Sequence, residues 1–426
     1  MTSGCTTLCV MRNCAAMSVD LSPFLHPFAR PAAPPESFIR FVRGEGAYVW
    51  DDEGKRYLDA MASLWYCAAG HGRAEIADAI RAQASTLAAY QCFDRFTNTP
   101  AEELAAKVAS IAPMQNARVF FTSGGSESVD TAMKIARVTS HITGKQGKTL
   151  IISREPSYHG VAYGSLTATG LSPNHEGFGP LLPDVVRVPK DDLAAIDAIL
   201  EREGDRVAAI LTEPIIGAGG VYPPNDGYLR GLRERCDRVG AWLIFDEVIC
   251  GYGRLGTWFG AQHFGIEPDM VTFAKAITSG YQPLGGVIVG PKVREVLESQ
   301  SSFIFRHGYT YSGHPTACAA GLANLAIMER EGLVERAKTM GARLEKGLKT
   351  LVDGDRVAHV RGGVAVWALG LTPALDGMKL RDALLTEGII VRPIGPGTVA
   401  YCPPLVTTDD EVDEIVAATK RAIAKV

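Results

Sequence analysis

The chain has 426 residues, of which 46% are hydrophobic and 21% charged, and its formal net charge at pH 7 is −4. The lack of a basic cluster argues against a nucleic-acid partner, and no apolar run reaches the length of about 18 residues that a membrane-spanning helix needs. The nine cysteines are scattered without a Cys-x-x-Cys pair, which predicts free thiols in a reducing, cytoplasmic compartment.

Residues 1–20 are predicted to be a disordered extension. They contain three of the cysteines but no apolar stretch long enough for a signal peptide. Because Met17 lies within this segment, the sequence leaves open whether translation starts at Met1 or at Met17.

Residues 21–75 are expected to form the N-terminal part of a small domain. Their clearest feature is a hairpin pattern, in which the apolar run Gly46–Trp50 and the segment Arg56–Asp59 flank the turn Asp51–Gly54. We expect this unit to combine with the other end of the chain in a smaller α+β domain.

Residues 76–326 are predicted to form a large α/β domain. Short apolar runs alternate with helical patterns, such as the apolar repeat between Val129 and Ala136. Nearly continuous apolar runs are typical of strands covered on both faces, as in a mainly parallel central sheet. The predicted strands are Arg118–Thr122, Thr149–Ser153, Val207–Thr212, Ala241–Phe245, Met270–Phe273 and Gly286–Val289.

Residues 327–426 are expected to complete the small domain. The pattern predicts helices at both ends of this region and short strands between them. In chain order, the predicted elements are a long helix Met328–Leu351, strands near Val364–Leu369, Ile389–Arg392 and Thr398–Tyr401, and a last helix at roughly Thr408–Lys425.

Polar features follow four apolar runs of the large domain, at the point where each run ends. In parallel sheets, ligands bind at the carboxyl ends of the strands, so these features are predicted to share one edge. They are the glycine-rich turn Ser123–Ser128, Glu213, Asp246 and Lys275.

The lysine at the end of such a run has a specific chemical use. Burial penalises the charged ammonium, and a neutral amine is a nucleophile suited to a carbonyl carbon. Pyridoxal 5′-phosphate (PLP) requires such a lysine, together with a phosphate site, a carboxylate for its pyridine nitrogen and flat packing against its ring. The predicted edge therefore suits PLP as the cofactor.

Several segments carry a resemblance to a known family: Phe121–Glu127, Ser157–Gly160, Glu213–Gly220, Asp246–Arg254, Lys275 and Tyr309–Pro315. In these segments the chain resembles the class III aminotransferases, which are fold-type I PLP-dependent transferases. The resemblance runs from about residue 25 to the C-terminus. It implies the fold of that family, a large PLP-binding domain with a mainly parallel sheet and a smaller domain from both chain ends.

The phosphate of PLP is expected at the start of a helix. Gly124, Gly125 and Ser126 open this helix, where free backbone amides and the helix dipole favour an anion. Gly124 stands where many relatives have serine, so a hydroxyl is missing but the amides remain. The resemblance also implies that Thr310 reaches the phosphate of the neighbouring subunit, and hence a homodimer with shared active sites; a tetramer is left open.

The ring of PLP is expected to lie among five residues. The resemblance implies that Asp246 pairs with the pyridine nitrogen and that Val248 and Tyr158 pack on opposite faces of the ring. Glu213 would brace the polar edge of the ring. His159 either supports the ring or is an ordinary loop histidine, and the sequence does not decide between these two.

Arg392 is the main clue to the substrate. A guanidinium can bind a carboxylate with two parallel hydrogen bonds. The position resembles the mobile arginine of pyruvate-dependent ω-aminotransferases, which binds the keto acid and swings away for an uncharged amine. The same resemblance places Phe93 in the partner's pocket. The residues expected to line the substrate pocket are Phe28, Trp65, Phe93, Tyr158 and Arg392.

These features predict a ping-pong aminotransferase that uses small molecules, an amine donor and a keto-acid acceptor. Lys275 and Asp246 are the expected catalytic residues. The amino group of a primary amine or ω-amino acid would pass to pyruvate, giving an aldehyde or ketone and L-alanine. A diaminopelargonate-type or GABA/β-alanine aminotransferase, a 2,1-aminomutase and a non-catalytic cofactor-binding protein remain as alternatives. The sequence does not identify the physiological donor.

Overall fold

The computed structural model describes residues 22–426. The predicted extension at residues 1–20 and the choice of start at Met1 or Met17 therefore lie outside the described residues. From residue 22 onward, strands and helices alternate along most of the chain, which confirms the predicted α/β class.

The strands fall into three sheets. They are β1 (Phe41–Glu45), β2 (Tyr48–Asp51), β3 (Arg56–Asp59), β4 (Arg118–Thr122), β5 (Leu150–Glu155), β6 (Val185–Pro189), β7 (Val207–Thr212), β8 (Trp242–Asp246), β9 (Met270–Phe273), β10 (Gly285–Val289), β11 (Val357–Gly363), β12 (Val366–Leu371), β13 (Ile389–Ile390), β14 (Arg392–Pro393) and β15 (Thr398–Tyr401).

The helices cover the sheets, and short 3-10 turns occur at Pro35–Ser37, Ser172–Asn174, Gly204–Arg206 and Lys275–Ile277. The helices are α1 (Ala62–Trp65), α2 (Ala74–Leu87), α3 (Thr99–Ile111), α4 (Gly125–Ile142), α5 (Tyr163–Ala168), α6 (Leu193–Glu203), α7 (Tyr228–Val239), α8 (Gly260–Phe264), α9 (Pro291–Glu298), α10 (Pro315–Arg330), α11 (Leu333–Lys349), α12 (Gly377–Thr386) and α13 (Asp409–Lys425).

The central sheet has seven strands in the order β4-β10-β9-β8-β7-β5-β6. Strand β10 runs antiparallel to both of its neighbours, whereas the other neighbouring pairs are parallel. Strands β7, β9 and β10 are buried along their whole length, as expected of strands with helices on both faces. The sheet is therefore mainly parallel, as predicted, with one reversed strand.

The two smaller sheets involve both ends of the chain. The hairpin predicted near residues 38–60 forms β1, β2 and β3, and Leu58 and Asp59 of β3 pair in parallel with Ile389 and Ile390 of β13. The third sheet has the order β11-β12-β15-β14. A segment from each end of the chain thus contributes to one sheet.

The predicted long helix Met328–Leu351 is wrong. Two helices, α10 and α11, occupy this region, and Gly332 between them has a φ of +62°. That left-handed conformation favours glycine and ends a right-handed helix. The predicted strand Ile389–Arg392 is also divided, because β13 and β14 belong to different sheets.

Among the residues from Ser22 onward, no helix is long and apolar enough to cross a membrane. The cysteines in this part of the chain are free, and all except Cys92 are buried.

Candidate active site

The carboxyl ends of four central strands meet at one edge of the sheet. Because β10 is antiparallel to β4 and β9, strands β4, β7, β8 and β9 all point the same way. Asp246 is the last residue of β8, Glu213 directly follows β7, and Lys275 lies two residues beyond β9. The structure thus brings together the polar residues that the sequence placed at strand ends.

Asp246 lies at the centre of a buried hydrogen-bond network and is 4% exposed. Its Oδ2 accepts a hydrogen bond from His159 Nδ1 at 2.7 Å, and its Oδ1 accepts one from Thr272 Oγ1 at 3.1 Å. The backbone N–H of Val248 also donates to Oδ1, at 3.2 Å. A carboxylate can only accept hydrogen bonds, so Nδ1 of His159 carries the proton. These contacts fix the direction in which Asp246 points.

Glu213 is a second buried carboxyl group, held by two backbone amides. Its Oε1 accepts from the N–H of Tyr158 at 3.1 Å, and its Oε2 accepts from the N–H of Gly217 at 2.8 Å. Burial raises the pKa of Glu213, while the nearby His159 opposes this effect. The same hydrogen bonds hold the loop of Tyr158 beside the carboxyl group.

Lys275 has an unusual backbone and an unpaired amine. Its φ is +51°, a left-handed conformation that costs free energy in any residue other than glycine. Burial lowers the pKa of its amine, and the carboxyl groups of Asp246 and Glu213 act in the opposite direction. Within residues 22–426, Nζ has no hydrogen bond or ion pair that would occupy it. The amine is therefore available as a nucleophile.

The glycine-rich turn begins α4 beside these residues. Gly124 is the N-cap of α4, and a Cβ on Gly124 would meet no atom within 4 Å. A Cβ on Gly125, in contrast, would lie 3.0 Å from Cγ1 of Val248. The first amides of a helix have no partner within the helix, so they are free to bind an anion in the space beside Gly124. Ser126 Oγ accepts a hydrogen bond from the N–H of Val161 at 3.0 Å.

Arg392 lies on β14 and is partly buried. Burial lowers the pKa of its guanidinium, and the nearby Tyr158 opposes this effect. The positive charge of Arg392 also lowers the pKa of the Lys275 amine, so the two side chains lie within electrostatic range of each other. The guanidinium of Arg392 has no hydrogen-bond partner in the part of the chain that the structure describes.

Two buried arginines and one partly buried arginine nearby are already engaged. Arg154 donates to the carbonyl of Glu213, Arg254 to the carbonyls of Ala365 and Pro403, and Arg361 to the carbonyl of Gly220. Of these four arginines, Arg392 is the one whose guanidinium has no hydrogen-bond partner within residues 22–426.

The predicted aromatic residues have different environments. Trp65 is 3% exposed and packs in an apolar cluster that includes Ile215 and Ile249. Phe28 is 78% exposed and Phe93 is 45% exposed. In the single chain, the structure places Trp65 close to the loops of the site but leaves the other two on the surface.

Thr310 is also exposed in the single chain. The ring of Phe93 packs against Gly308, because a Cβ on Gly308 would lie 2.9 Å from Cε1 of that ring. Phe93 thus lies beside the exposed segment that contains Thr310.

Sequence reasoning missed Thr272. This residue pairs with Asp246 in the register of β8 and β9, so a polar residue inside an apolar strand was the available signal.

Comparison with known proteins identifies the family. The family model for class III aminotransferases matches residues 30–423. The chain is a class III aminotransferase. The aminotransferase is 37% identical to the diaminobutyrate–2-oxoglutarate transaminase of Halomonas elongata, over 95% of this chain and 93% of the relative. It is 36% identical to the putrescine–pyruvate aminotransferase of Pseudomonas aeruginosa, over 90% of each chain.

A solved structure gives the same result for the fold. The (S)-enantioselective ω-transaminase of Thermomicrobium roseum superposes with a TM-score of 0.90 and 40% identity, covering 94% of this aminotransferase and 96% of that chain. The predicted fold-type I architecture is confirmed by this match.

The aminotransferase is a PLP-dependent enzyme, as its family is. The residues present fit this cofactor. The amine of Lys275 is unpaired among the described residues and lies within electrostatic range of the fixed carboxylate of Asp246. The open space beside Gly124 lies at a helix N-terminus. PLP supplies an electron sink for the carbon that loses its proton.

Proposed function

We propose that the aminotransferase transfers the amino group of a primary amine or ω-amino acid to pyruvate in a ping-pong reaction. The products are an aldehyde or ketone and L-alanine. The free guanidinium of Arg392, in the same electrostatic environment as Lys275, is the observation that carries the proposal. The proposal concerns the substrates, because the aminotransferase activity itself follows from the family.

The number of free cations favours an acceptor with one carboxylate. Pyruvate has one carboxylate, which a single guanidinium binds with two hydrogen bonds. The second carboxylate of 2-oxoglutarate would need another partner, and the other arginines around the site donate to backbone carbonyls. A diaminobutyrate or GABA aminotransferase that uses 2-oxoglutarate is therefore the second candidate, supported by the Halomonas elongata relative.

Each residue of the site has a proposed role. Lys275 would hold PLP through its amine, and the same amine would move the proton at the substrate Cα. Asp246, which His159 and Thr272 orient, would hold the pyridine nitrogen, and Glu213 would brace the ring edge.

The remaining roles concern packing and the phosphate. Val248 and Tyr158 would pack against the ring of PLP. Gly124, Gly125 and Ser126 would hold its phosphate at the start of α4, and Trp65 would line the pocket for the apolar part of the amine.

Arg392→Ala should affect the two substrates differently, with a large loss for pyruvate and little change for an uncharged amine. We expect kcat/KM for pyruvate, with a fixed amine donor, to fall roughly 100-fold, because a charge-assisted pair of hydrogen bonds is lost. The single-turnover rate with an uncharged primary amine should change less than about threefold, since that amine makes no ion pair with Arg392. The measurements are alanine formation at varied pyruvate and stopped-flow absorbance of the bound cofactor.

Arg392→Lys is the control variant, because lysine keeps the positive charge but cannot make the planar two-point contact with a carboxylate. Equal losses for pyruvate and for the uncharged amine would contradict the role of Arg392. A wild-type enzyme that forms glutamate from 2-oxoglutarate faster than alanine from pyruvate would favour the second candidate.

We further propose that the enzyme is a homodimer with shared active sites. The surface that carries Phe93 and Thr310 is rich in exposed apolar side chains, which in a soluble protein mark an interaction site. In the chain segments on either side of the contact between Phe93 and Gly308, the exposed apolar side chains are Tyr90, Phe93, Phe96, Ile304 and Tyr311, with exposed fractions of 52%, 45%, 49%, 64% and 63%. A second copy that covers this surface would bring Phe93 and Thr310 to the Lys275 of the first.

A heterodimer of two inactive variants tests whether the two subunits share their active sites. One chain carries Lys275→Ala, the other carries Phe93→Arg with Thr310→Ala, and the heterodimer is purified with two tags after co-expression. One of its two sites has both wild-type halves, so about half of the wild-type activity per dimer is expected. Each parent homodimer should be nearly inactive.

The control places all three changes in one chain and pairs it with a wild-type chain. If the sites are shared, both sites of this heterodimer are damaged and activity is low. If each chain builds its own site, this heterodimer keeps half of the activity and the first pairing shows none. That pattern, or a monomer by sedimentation, would refute the shared site.

A further inference from the structure

Asn324 is a buried polar residue whose hydrogen bonds converge on the turn that carries Lys275. It lies in the interior of α10, in the mainly apolar stretch Ala317–Ile327, and its exposed fraction is 0%. Its Nδ2 donates to the carbonyl of Ala276 at 2.9 Å and to the carbonyl of Ile277 at 3.0 Å. Both carbonyls directly follow Lys275 in the chain.

The same amide also holds the end of the turn. Oδ1 of Asn324 accepts a hydrogen bond from Ser279 Oγ at 2.7 Å, and Ser279 Oγ accepts one from the N–H of Ala69 at 3.0 Å. Ala69 follows the segment of Trp65 and Tyr66. Asn324 therefore connects α10 with the turn Lys275–Ser279, called the lysine turn below, and with the segment that follows Trp65 and Tyr66.

The lysine turn needs support from outside. Lys275 and Ser279 have φ values of +51° and +49°, which are unfavourable for residues with a side chain. The backbone hydrogen bonds of the turn are long: 3.3 Å from Ile277 to Ala274, 3.4 Å from Thr278 to Lys275 and 3.2 Å from Ser279 to Ala276. The bonds of Asn324 thus add support from a separate helix to a turn whose own backbone bonds are long.

We propose that Asn324 is a positioning residue that fixes the place of the Lys275 amine. Through Ser279 it also fixes the distance between that amine and the segment of Trp65. The inference rests on the proposed role of Lys275. Asn324 does not touch the reacting atoms and acts through the backbone of the turn.

Asn324→Asp tests this with a side chain of the same size. The donor group is lost, and a carboxylate oxygen would face the carbonyls of Ala276 and Ile277. Because a displacement of about 1 Å in a catalytic group costs on the order of 10²-fold in rate, we expect kcat to fall roughly 10- to 100-fold. The KM for the amine should change less than about threefold, since no substrate contact is removed.

Attachment of the cofactor gives a second readout that does not depend on the substrate. Apoenzyme is mixed with PLP, the absorbance of the bound cofactor is followed, and borohydride trapping with peptide mass spectrometry measures the fraction attached to Lys275. This attachment should slow by a factor similar to that of kcat. Ser279→Ala keeps both hydrogen bonds that Asn324 donates, so it should show a smaller loss in both measurements. This variant tests the proposal on its own if Asn324→Asp does not fold.

Thr139→Val is the matched control. Thr139 is 1% exposed and accepts a hydrogen bond from Trp242 Nε1 at 2.8 Å, so the variant leaves this partly buried donor without its partner. It lies on α4, about 20 Å along the helix from the glycine-rich turn. Its thermal stability should fall, while its rates of attachment and turnover stay within about twofold of wild type.

The outcomes separate this inference from the function it builds on. If the Asn324 and Ser279 variants fold and attach PLP as fast as Thr139→Val, Asn324 is not a positioning residue and the proposed function is untouched. If wild-type enzyme attaches PLP at another lysine, the role of Lys275 and this inference both fail. If wild-type enzyme attaches PLP at Lys275 but forms no alanine from pyruvate, only the proposed substrates fail.

Discussion

Lys275→Ala should abolish covalent attachment of PLP and lower the transamination rate by roughly 10⁴-fold or more. The variant loses both the nucleophile that binds the aldehyde and the base that moves the proton, and general acid–base catalysis alone contributes about 10²- to 10⁴-fold. Burial lowers the pKa of this amine, so in the wild type a larger share is neutral near pH 7 than for an exposed lysine. The measurements are borohydride trapping and alanine formation.

Lys275→Arg is the control for the positive charge. Arginine keeps the cation but has no amine that loses its proton near neutral pH, so it should be as inactive as alanine. PLP should still bind without a covalent bond in both variants, because the phosphate site and Asp246 are intact. Turnover above about 1% of wild type in either variant would assign the chemistry to another group.

Asp246→Asn should lower kcat by roughly 10²- to 10³-fold while the fold is retained. The variant loses the negative charge expected at the pyridine nitrogen. Its amide keeps one acceptor oxygen, so its NH2 group must face one of the two donors, His159 Nδ1 or Thr272 Oγ1, that now bind the carboxylate. Removing one fixed electrostatic partner of a reacting group commonly has an effect of this size. Single-turnover rates with a saturating amine measure the chemical step directly.

Asp269→Asn is a matched control on the same sheet. Asp269 is also buried, pairs with Arg233 at 2.7 Å and accepts from the N–H of Leu243 at 2.7 Å, but it directly precedes β9 and so lies at the opposite end of the strand from Lys275. Its substitution should reduce thermal stability and leave the single-turnover rate within about threefold of wild type. Equal rates for the Asp246 and Asp269 variants would show that Asp246 has no special role in the chemistry.

The central strands were predictable because they are buried on both faces. Strands such as β7 and β10 are continuous apolar runs, and the runs predicted from sequence agree with the observed bounds within about two residues. Strand β6 was missed because Arg187 and Pro189 interrupt its apolar pattern, and β11 because it contains polar residues and ends in glycine. Partly exposed strands carry a weaker signal, since one face does not need to be apolar.

The breaks in the small sheets were less visible in the sequence. The periodicity of the apolar residues continues on both sides of Gly332, so the helix pattern itself did not show where α10 ends. Similarly, Ile389–Arg392 is one apolar run that two sheets divide between them. In both places the partners of the segment decide its structure, and those partners are distant in the chain.

The sequence by itself determined the family, the cofactor and the order of the polar residues, because each strand of a parallel sheet delivers its last residue to the same edge. The tertiary structure decided how those residues are held. The hydrogen bond between His159 and Asp246 joins positions 87 residues apart, and Asn324 reaches a turn 47 to 48 residues away. Pairings of this kind depend on the packing of whole elements, so short-range sequence patterns do not contain them.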